Sequence, residues 1–330
     1  MSLAGWRLGP LTAHHLGFLF LCFLWGSTWI AIRIGSLDSG PMTITVLRLG
    51  LATVAFVPVV LVLKSRLPSG KAEWRATAVM GVLLYAGNLA PVYWGLREVP
   101  AGLGAVLFAT MPLQVTLFAH FLLKDEPLSW RRVSGILLGI FGVYVLVQGI
   151  PGIGARSFTL EDVLSRDPMR VAAVFLGATG AALSTVLLRG ETAKPDPVGM
   201  NFAANGMGAL VVLPFIPLDG ASSQTPTGPG PWSALLYLVI LGSIIGFLVF
   251  YWLVRAWPAN RVSLINLITP MTAVSLGIVI LGEPFDPGMV LGGAVILAGV
   301  AVAVVSPAKI SIQKVETPGL AATAGPELPK

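Results

Sequence analysis

The stretch NLAPVYWGLREVPAGLGAVLFATMPLQVTLFAHFLLKDEP (88–127) is followed later in the chain by a similar stretch, GFLVFYWLVRAWPANRVSLINLITPMTAVSLGIVILGEP (246–284). Six residues of the first stretch recur in the second at one constant offset of 158, and one of them is a proline, Pro112, which recurs as Pro270. Identities at a fixed offset indicate an internal duplication, because unrelated apolar segments do not preserve such spacing. The sequence therefore predicts two related halves.

The composition is that of a membrane protein. Apolar residues make up 55% and charged residues 11% of the 330 residues, whereas charged residues form about a quarter of a soluble domain. Ten apolar runs, five in each half, have the roughly twenty residues that a bilayer-spanning helix needs. They lie at about 16–35, 42–63, 76–97, 100–123, 132–149, 169–189, 198–217, 232–255, 259–281 and 288–306. The predicted fold is an all-α polytopic membrane protein with ten transmembrane helices.

The runs also give the domain boundaries. We predict a first five-helix repeat at 1–149, a linker at 150–167, a second five-helix repeat at 168–306 and a flexible tail at 307–330. Because five is an odd number, the second repeat must enter the membrane from the opposite side, which makes the halves inverted repeats. Inverted repeats are the architecture of many secondary transporters, whose binding site lies near the membrane midplane.

Lysine and arginine set the orientation. With the N-terminus inside the cell, 15 of the 21 lysines and arginines lie in cytoplasmic segments and five on the opposite side, and Arg48 lies within span two. Basic residues concentrate in cytoplasmic loops. We therefore predict that both termini are cytoplasmic, that the linker is extracytoplasmic, and that the net charge of +6 reflects these loops rather than a nucleic-acid partner.

Three Asp-Pro pairs predict helix starts, because an aspartate caps a helix and a proline fits its first turn. They are Asp167-Pro168, Asp196-Pro197 and Asp286-Pro287.

Polar side chains at membrane depth are candidates for a binding site, because burying them in a bilayer is costly. We predict that spans three, four, eight and nine wall one polar cavity that binds the substrate. Its candidate residues are Tyr85, Asn88, Thr110, Gln114, Ser243 and Asn266. The alternative is hydrogen bonding between packed helices, which contributes about 0.6 kcal/mol per bond on average.

Pro112 and Pro270 each remove a backbone donor and free the carbonyl four residues earlier. We predict that they kink spans four and nine and take part in gating. Trp25 lies near the middle of span one and could stack on a flat or apolar substrate, whereas Tyr93 near the end of span three is expected in the interfacial aromatic belt. Arg48 could hold a substrate carboxylate or cap helix carbonyls.

The chemistry that the sequence lacks is also informative. All fifteen acidic residues fall in loops, tails or span ends, so coupling through a midplane carboxylate is disfavoured. The single cysteine, Cys22, excludes an internal disulfide and a multi-cysteine metal site, and its apolar surroundings predict a small residue that is either buried or lipid-facing. Nucleotide-binding, metalloprotease and serine-hydrolase motifs are absent, so no cofactor, metal or enzyme activity is predicted.

Several features together resemble the EamA-type drug/metabolite transporters, and in particular the YddG-type amino-acid exporters. They are the two five-span halves, Trp25-Gly26-Ser27 with Trp29, Arg48, and Asp125-Glu126-Pro127 echoed by Gly282-Glu283-Pro284. The resemblance covers about residues 14–306 and implies an exporter whose central cavity is formed by spans three, four, eight and nine. Related small multidrug transporters use an intramembrane glutamate that this chain lacks.

The sequence thus predicts an inner-membrane exporter of aromatic or other neutral amino acids, or of related small metabolites, that works by alternating access. A multidrug exporter of lipophilic compounds and a non-transporting membrane scaffold or sensor remain as alternatives. Spans five and ten are rich in glycine and could pack a homodimer or pack within one chain.

Overall fold

The computed structural model describes residues 13–123, 129–148, 167–190, 195–222, 225–257, 262, 264–283, 285 and 287–304. Within this part of the chain all regular structure is helical, and it follows the order of the ten predicted spans. Among the described residues, seven helices are long and apolar enough to cross a membrane, and the shorter apolar helices Ile268–Leu281 and Pro287–Ala303 follow them. The predicted fold class, an all-α polytopic membrane protein with two five-helix repeats, is confirmed.

The helices of the first repeat are Ala13–Asp38 in span one, Pro41–Leu63 in span two, Gly70–Val79, Met80–Ala86 and Gly87–Gly95 in span three, Ala101–Phe108 and Met111–Leu122 in span four, and Trp130–Gln148 in span five. Those of the second repeat are Pro168–Gly190 in span six, Pro197–Val212 and Leu213–Ser222 in span seven, Pro229–Tyr237, Leu238–Ile245 and Gly246–Ala256 in span eight, Ile265–Leu281 in span nine, and Pro287–Val304 in span ten.

Two of the predicted helix starts have the expected caps. The Asp196 carboxylate accepts hydrogen bonds from the backbone N–H groups two and three residues later, at 3.0 and 3.1 Å. Asp167 accepts one from the backbone N–H of Met169 at 3.1 Å. Span ten begins at Pro287 as predicted, and Asp286 lies outside the described residues.

Helix pairs across the two halves occur in symmetric sets. Span one packs against span nine, and its counterpart span six packs against span four. Span two packs against span eight, and its counterpart span seven packs against span three. Spans two and seven, which are counterparts in the two repeats, pack against each other, and so do spans five and ten. This exchange of partners is what an inverted duplication produces.

The glycines of spans five and ten bring these two helices into close contact within the chain. A Cβ atom on Gly142 would lie 2.6 Å from the backbone nitrogen of Ile296, and one on Gly135 would lie 2.6 Å from the carbonyl oxygen of Gly299. Small residues at such positions let transmembrane helices approach closely. These glycines could pack a homodimer or pack within one chain, and in the structure they pack within one chain.

Two further predictions concern single side chains. Cys22 is buried at 2% exposure, which is the first of its two predicted placements. The prediction for Tyr93 was wrong, because its side chain is fully buried in the main apolar core instead of lying in an interfacial belt. Its ring lies close to Gly35 of span one, and this tertiary contact decides its place.

Candidate functional site

Spans three and eight each contain a π-helical segment at the same position of the repeat. The segments are Met80–Ala86 and Leu238–Ile245, and the duplication offset places the first residue of one on the first residue of the other. Such segments are rare and often occur at functional sites. Tyr85 lies in the first and Ser243 in the second, where the Ser243 hydroxyl donates to the carbonyl oxygen of Leu238 at 3.0 Å.

Tyr85 is hydrogen-bonded to span seven. Its hydroxyl donates to Oδ1 of Asn201 at 2.5 Å. The Asn205 amide donates to the same Oδ1 at 2.9 Å and to the Asn201 carbonyl oxygen at 2.8 Å. Both asparagines are 1% exposed. Sequence analysis missed them, although two asparagines four residues apart in an apolar run gave the same signal that selected Tyr85.

Arg48 lies in the first half of span two, with Tyr85 and Tyr93 of span three near its guanidinium. Its Nε and Nη1 atoms are buried and have no hydrogen-bond partner among the described residues. The same holds for the Tyr93 hydroxyl, Oδ1 of Asn88 and Nδ2 of Asn201. Unpaired buried polar atoms are uncommon in proteins, and each requires a physical explanation.

Gln114 belongs to a second hydrogen-bonded group. Its Oε1 accepts from the Thr179 hydroxyl of span six at 2.7 Å, and its Nε2 donates to the Thr110 hydroxyl at 3.3 Å. The Thr110 hydroxyl also donates to the carbonyl oxygen of Leu107 at 2.7 Å. In this conformation Gln114 therefore forms a bond between packed helices, the alternative that sequence analysis gave beside cavity lining.

Trp25 and its neighbours link span one to span eight. The Trp25 ring lies 5.3 Å from the ring of Phe250 between centroids. Two residues after Trp25, the hydroxyl of Ser27 lies 2.5 Å from the hydroxyl of Tyr237 in span eight. Span one therefore contacts the span that carries the second π-helical segment.

The two prolines have different local structures. Span four is broken between Ala101–Phe108 and Met111–Leu122, and Pro112 is in the first turn of the second piece. Pro270 lies inside the continuous helix Ile265–Leu281. The duplicated sequence predicted equal kinks, whereas the structure interrupts only span four among these two spans.

The predicted site residues thus fall into separate groups. Tyr85 lies beside Arg48, and Thr110 is bonded to Gln114. Asn266 is exposed in the first turn of span nine.

Two carboxylates of the second repeat cap helices of the first repeat, at the predicted extracytoplasmic face. Glu283 accepts hydrogen bonds from the first two backbone N–H groups of Ala101–Phe108, at 2.6 and 3.1 Å. Asp219 accepts from the backbone N–H groups of Met42 and Thr43, at 3.1 and 2.8 Å. A helix N-terminus has unpaired donors and a positive dipole end, so both carboxylates stabilise this contact between the halves.

Helices that follow the order of ten spans in two inverted repeats, with polar groups at membrane depth beside the duplicated π-helical segments, are the architecture of a membrane transporter. The sequence profile of the EamA-like transporter family matches the chain twice, at residues 13–148 and 169–305. The chain therefore belongs to the EamA-like transporter family.

Several curated proteins are similar along most of the chain. The uncharacterized transporter YoaV of Bacillus subtilis (strain 168) is 25% identical over 286 residues, which cover 86% of this chain and 94% of YoaV. The uncharacterized inner membrane transporter YedA of Escherichia coli (strain K12) is 28% identical over 81% of this chain and 83% of YedA. A WAT1-related chloroplastic protein of Arabidopsis thaliana is 29% identical over 84% of this chain and 66% of its own length.

A crystal structure among the solved structures that match this chain has the same fold. It superposes with a TM-score of 0.59 at 20% identity and covers 88% of this chain and 96% of the other.

Proposed function

We propose that this transporter exports aromatic or other neutral amino acids, or related small metabolites, across the inner membrane by alternating access. The observation that carries the proposal is the pair of π-helical segments, Met80–Ala86 and Leu238–Ile245, at matching positions of two inverted repeats. They put Tyr85 and Ser243 at matching depths in the two halves. Two similar half-structures that face opposite ways can expose one midplane site to each side in turn.

The contacts at the predicted extracytoplasmic face support alternating access. Glu283 and Asp219 each join the second repeat to the start of a helix in the first repeat. These bonds hold the halves together at that face, and they must break when the site opens there. An outward opening that costs a few hydrogen bonds is reversible on the timescale of transport.

The polar groups beside the π-helical segments fit a small, polar substrate. Hydrogen-bonding side chains from spans two, three and seven meet at Tyr85. Such a set recognises a compact molecule with its own donors and acceptors. The rings of Trp25 and Phe250, which meet between spans one and eight, suit a flat or apolar side chain. Amino acids combine both features.

The proposed membrane is the inner membrane, with both termini cytoplasmic. The distribution of lysine and arginine supports the orientation. The similarity to an Escherichia coli protein named as an inner membrane transporter supports the location.

The test is uptake of a panel of labelled amino acids into proteoliposomes, with and without a pH gradient. We expect saturable uptake of at least one aromatic or neutral amino acid, and dependence on the gradient would establish proton coupling. Absence of uptake for every member of the panel, with protein that is monodisperse and thermally stable, would refute an amino-acid substrate.

A second candidate is an exporter of lipophilic compounds. A groove of about 840 Å³ is lined mostly by apolar residues of spans three and six, including Pro91, Phe175 and Leu176, and it reaches Thr179. Because Thr179 is bonded to Gln114, the groove leads from the surface toward the interior. Saturable transport of a lipophilic dye that amino acids do not inhibit would favour this function, and transport of neither class would favour a scaffold or sensor.

A further inference from the structure

We infer that Arg48 binds the carboxylate of the transported molecule, in a subsite formed with Tyr85, Tyr93 and Asn201. The inference rests on the proposed function and narrows its substrate class to molecules with a carboxylate.

The position of Arg48 in the membrane is the first step. It is seven residues after the start of Pro41–Leu63, or about 10 Å along the helix at 1.5 Å per residue. A charge at this depth is costly unless it has a partner or faces water. An arginine therefore needs a compensating group here.

No compensating partner is found among the described residues for two of the guanidinium nitrogens of Arg48. Nε and Nη1 are buried without a hydrogen-bond partner, so these two nitrogens do not cap helix carbonyls, which was the structural alternative. Each of these nitrogens carries an N–H group that can donate a charge-assisted hydrogen bond to a carboxylate oxygen.

The surrounding groups are donors as well. The Tyr93 hydroxyl and Nδ2 of Asn201 are also buried, and neither has a hydrogen-bond partner among the described residues. Asn201 is held in place through its Oδ1, which accepts from both Tyr85 and Asn205. Several donors around one positive charge favour an anion and disfavour a cation. This chemistry selects amino acids and organic acids over cationic lipophilic drugs.

The first part of the experiment measures binding and needs no transport. Thermal unfolding of the detergent-solubilised protein is followed with phenylalanine, with phenylalanine amide, which lacks the carboxylate, and with 3-phenylpropanoate, which lacks the ammonium group. We expect phenylalanine and 3-phenylpropanoate to raise the unfolding temperature of the parent. Phenylalanine amide should need at least a tenfold higher concentration for the same rise, because hydrogen bonds to charged groups are the stronger ones.

The second part compares variants. Arg48→Met should raise the concentration of carboxylate needed for half-maximal effect by about tenfold or more, and Arg48→Lys should lie between it and the parent. The matched control is Arg255→Met, because Arg255 is exposed at the end of span eight. If Arg48→Met does not fold, Arg48→Lys carries the comparison.

The outcomes separate the two claims. Arg48-dependent binding of carboxylates without uptake in proteoliposomes would support the subsite and refute the proposed function. Amino-acid uptake with an unchanged half-saturating concentration in Arg48→Met, or equal effects of the amide and the acid, would refute the subsite alone. Failure of every carboxylate to bind the parent would also overturn it.

Discussion

Replacing Glu283 with glutamine should loosen the closure of the predicted extracytoplasmic face. The Glu283 carboxylate accepts one backbone N–H from span four on each of its oxygens, at 2.6 and 3.1 Å. Glutamine keeps the shape and one acceptor but loses the charge and the second acceptor. Replacing a charged acceptor with a neutral one weakens the hydrogen bond and the helix-dipole interaction by about 1–2 kcal/mol together. Such a change shifts an equilibrium between closed and open states by roughly 5- to 30-fold.

The assay is labelling of one cysteine by a membrane-impermeant maleimide added outside the cell. The native Cys22 is 2% exposed and is replaced by serine, and Ser243→Cys supplies the reporter beside the π-helical segment. We expect Glu283→Gln to raise the labelling rate roughly 5- to 30-fold. Glu98→Gln is the control, because Glu98 is an exposed acid near the same face. Equal rates in the parent and Glu283→Gln, or an equal rise with Glu98→Gln, would refute the reasoning.

Three further changes test other parts of the structure. Asp219→Asn should raise the same labelling rate. Because Asp219 caps a different helix, the two substitutions should change the free energy of opening additively, within about 0.5 kcal/mol. A double variant that is labelled no faster than the single variants would contradict this. Gln114→Trp should abolish uptake in proteoliposomes, because it fills the space around the Thr179 contact, and full uptake by this variant would remove Gln114 from the path. Gly142→Leu should lower the free energy of unfolding by about 1–3 kcal/mol, since its Cβ would lie 2.6 Å from the backbone of Ile296. The control is Gly50→Leu, because the space at the Cβ position of Gly50 is open. Equal thermal unfolding midpoints for the two variants would contradict the packing argument.

The fold could be predicted from the sequence because its signals are local or periodic. The length of the apolar runs gives the spans, and Asp196 and Asp167 mark helix starts by their own side-chain chemistry. The constant offset between Pro112 and Pro270 gives the duplication. None of these inferences requires knowledge of which side chains meet in space.

The polar groups of the site could be predicted only in part, because they depend on contacts between spans. Tyr85 was predicted from its depth, but its partners Asn201 and Asn205 come from span seven, which the duplicated stretch does not include. The helix of span four is interrupted just before Pro112, whereas the helix of span nine continues through Pro270. Two prolines at matching positions of the repeat do not predict this difference. A proline removes one hydrogen bond in both spans, and the neighbouring helices decide how far the backbone bends.

The roles of Glu283 and Asp219 also lay beyond the sequence. Glu283 was noticed in a repeated motif, but its bond to span four joins residues that are more than 180 positions apart. Asp219 begins a stretch of sequence without periodicity, and only the fold brings it to the start of span two. Both are charged groups near a membrane surface, where many acids have no structural role.

Counterflow in proteoliposomes tests the central claim, alternating-access transport of an amino acid, most directly. Vesicles are loaded with a high concentration of the unlabelled amino acid and diluted into a trace of the labelled one. A carrier with one alternately exposed site exchanges the two, so we predict that label accumulates transiently above its equilibrium level, and that Gln114→Trp abolishes this overshoot. A monotonic approach to equilibrium, or no entry of label, with the parent protein intact would contradict alternating-access transport.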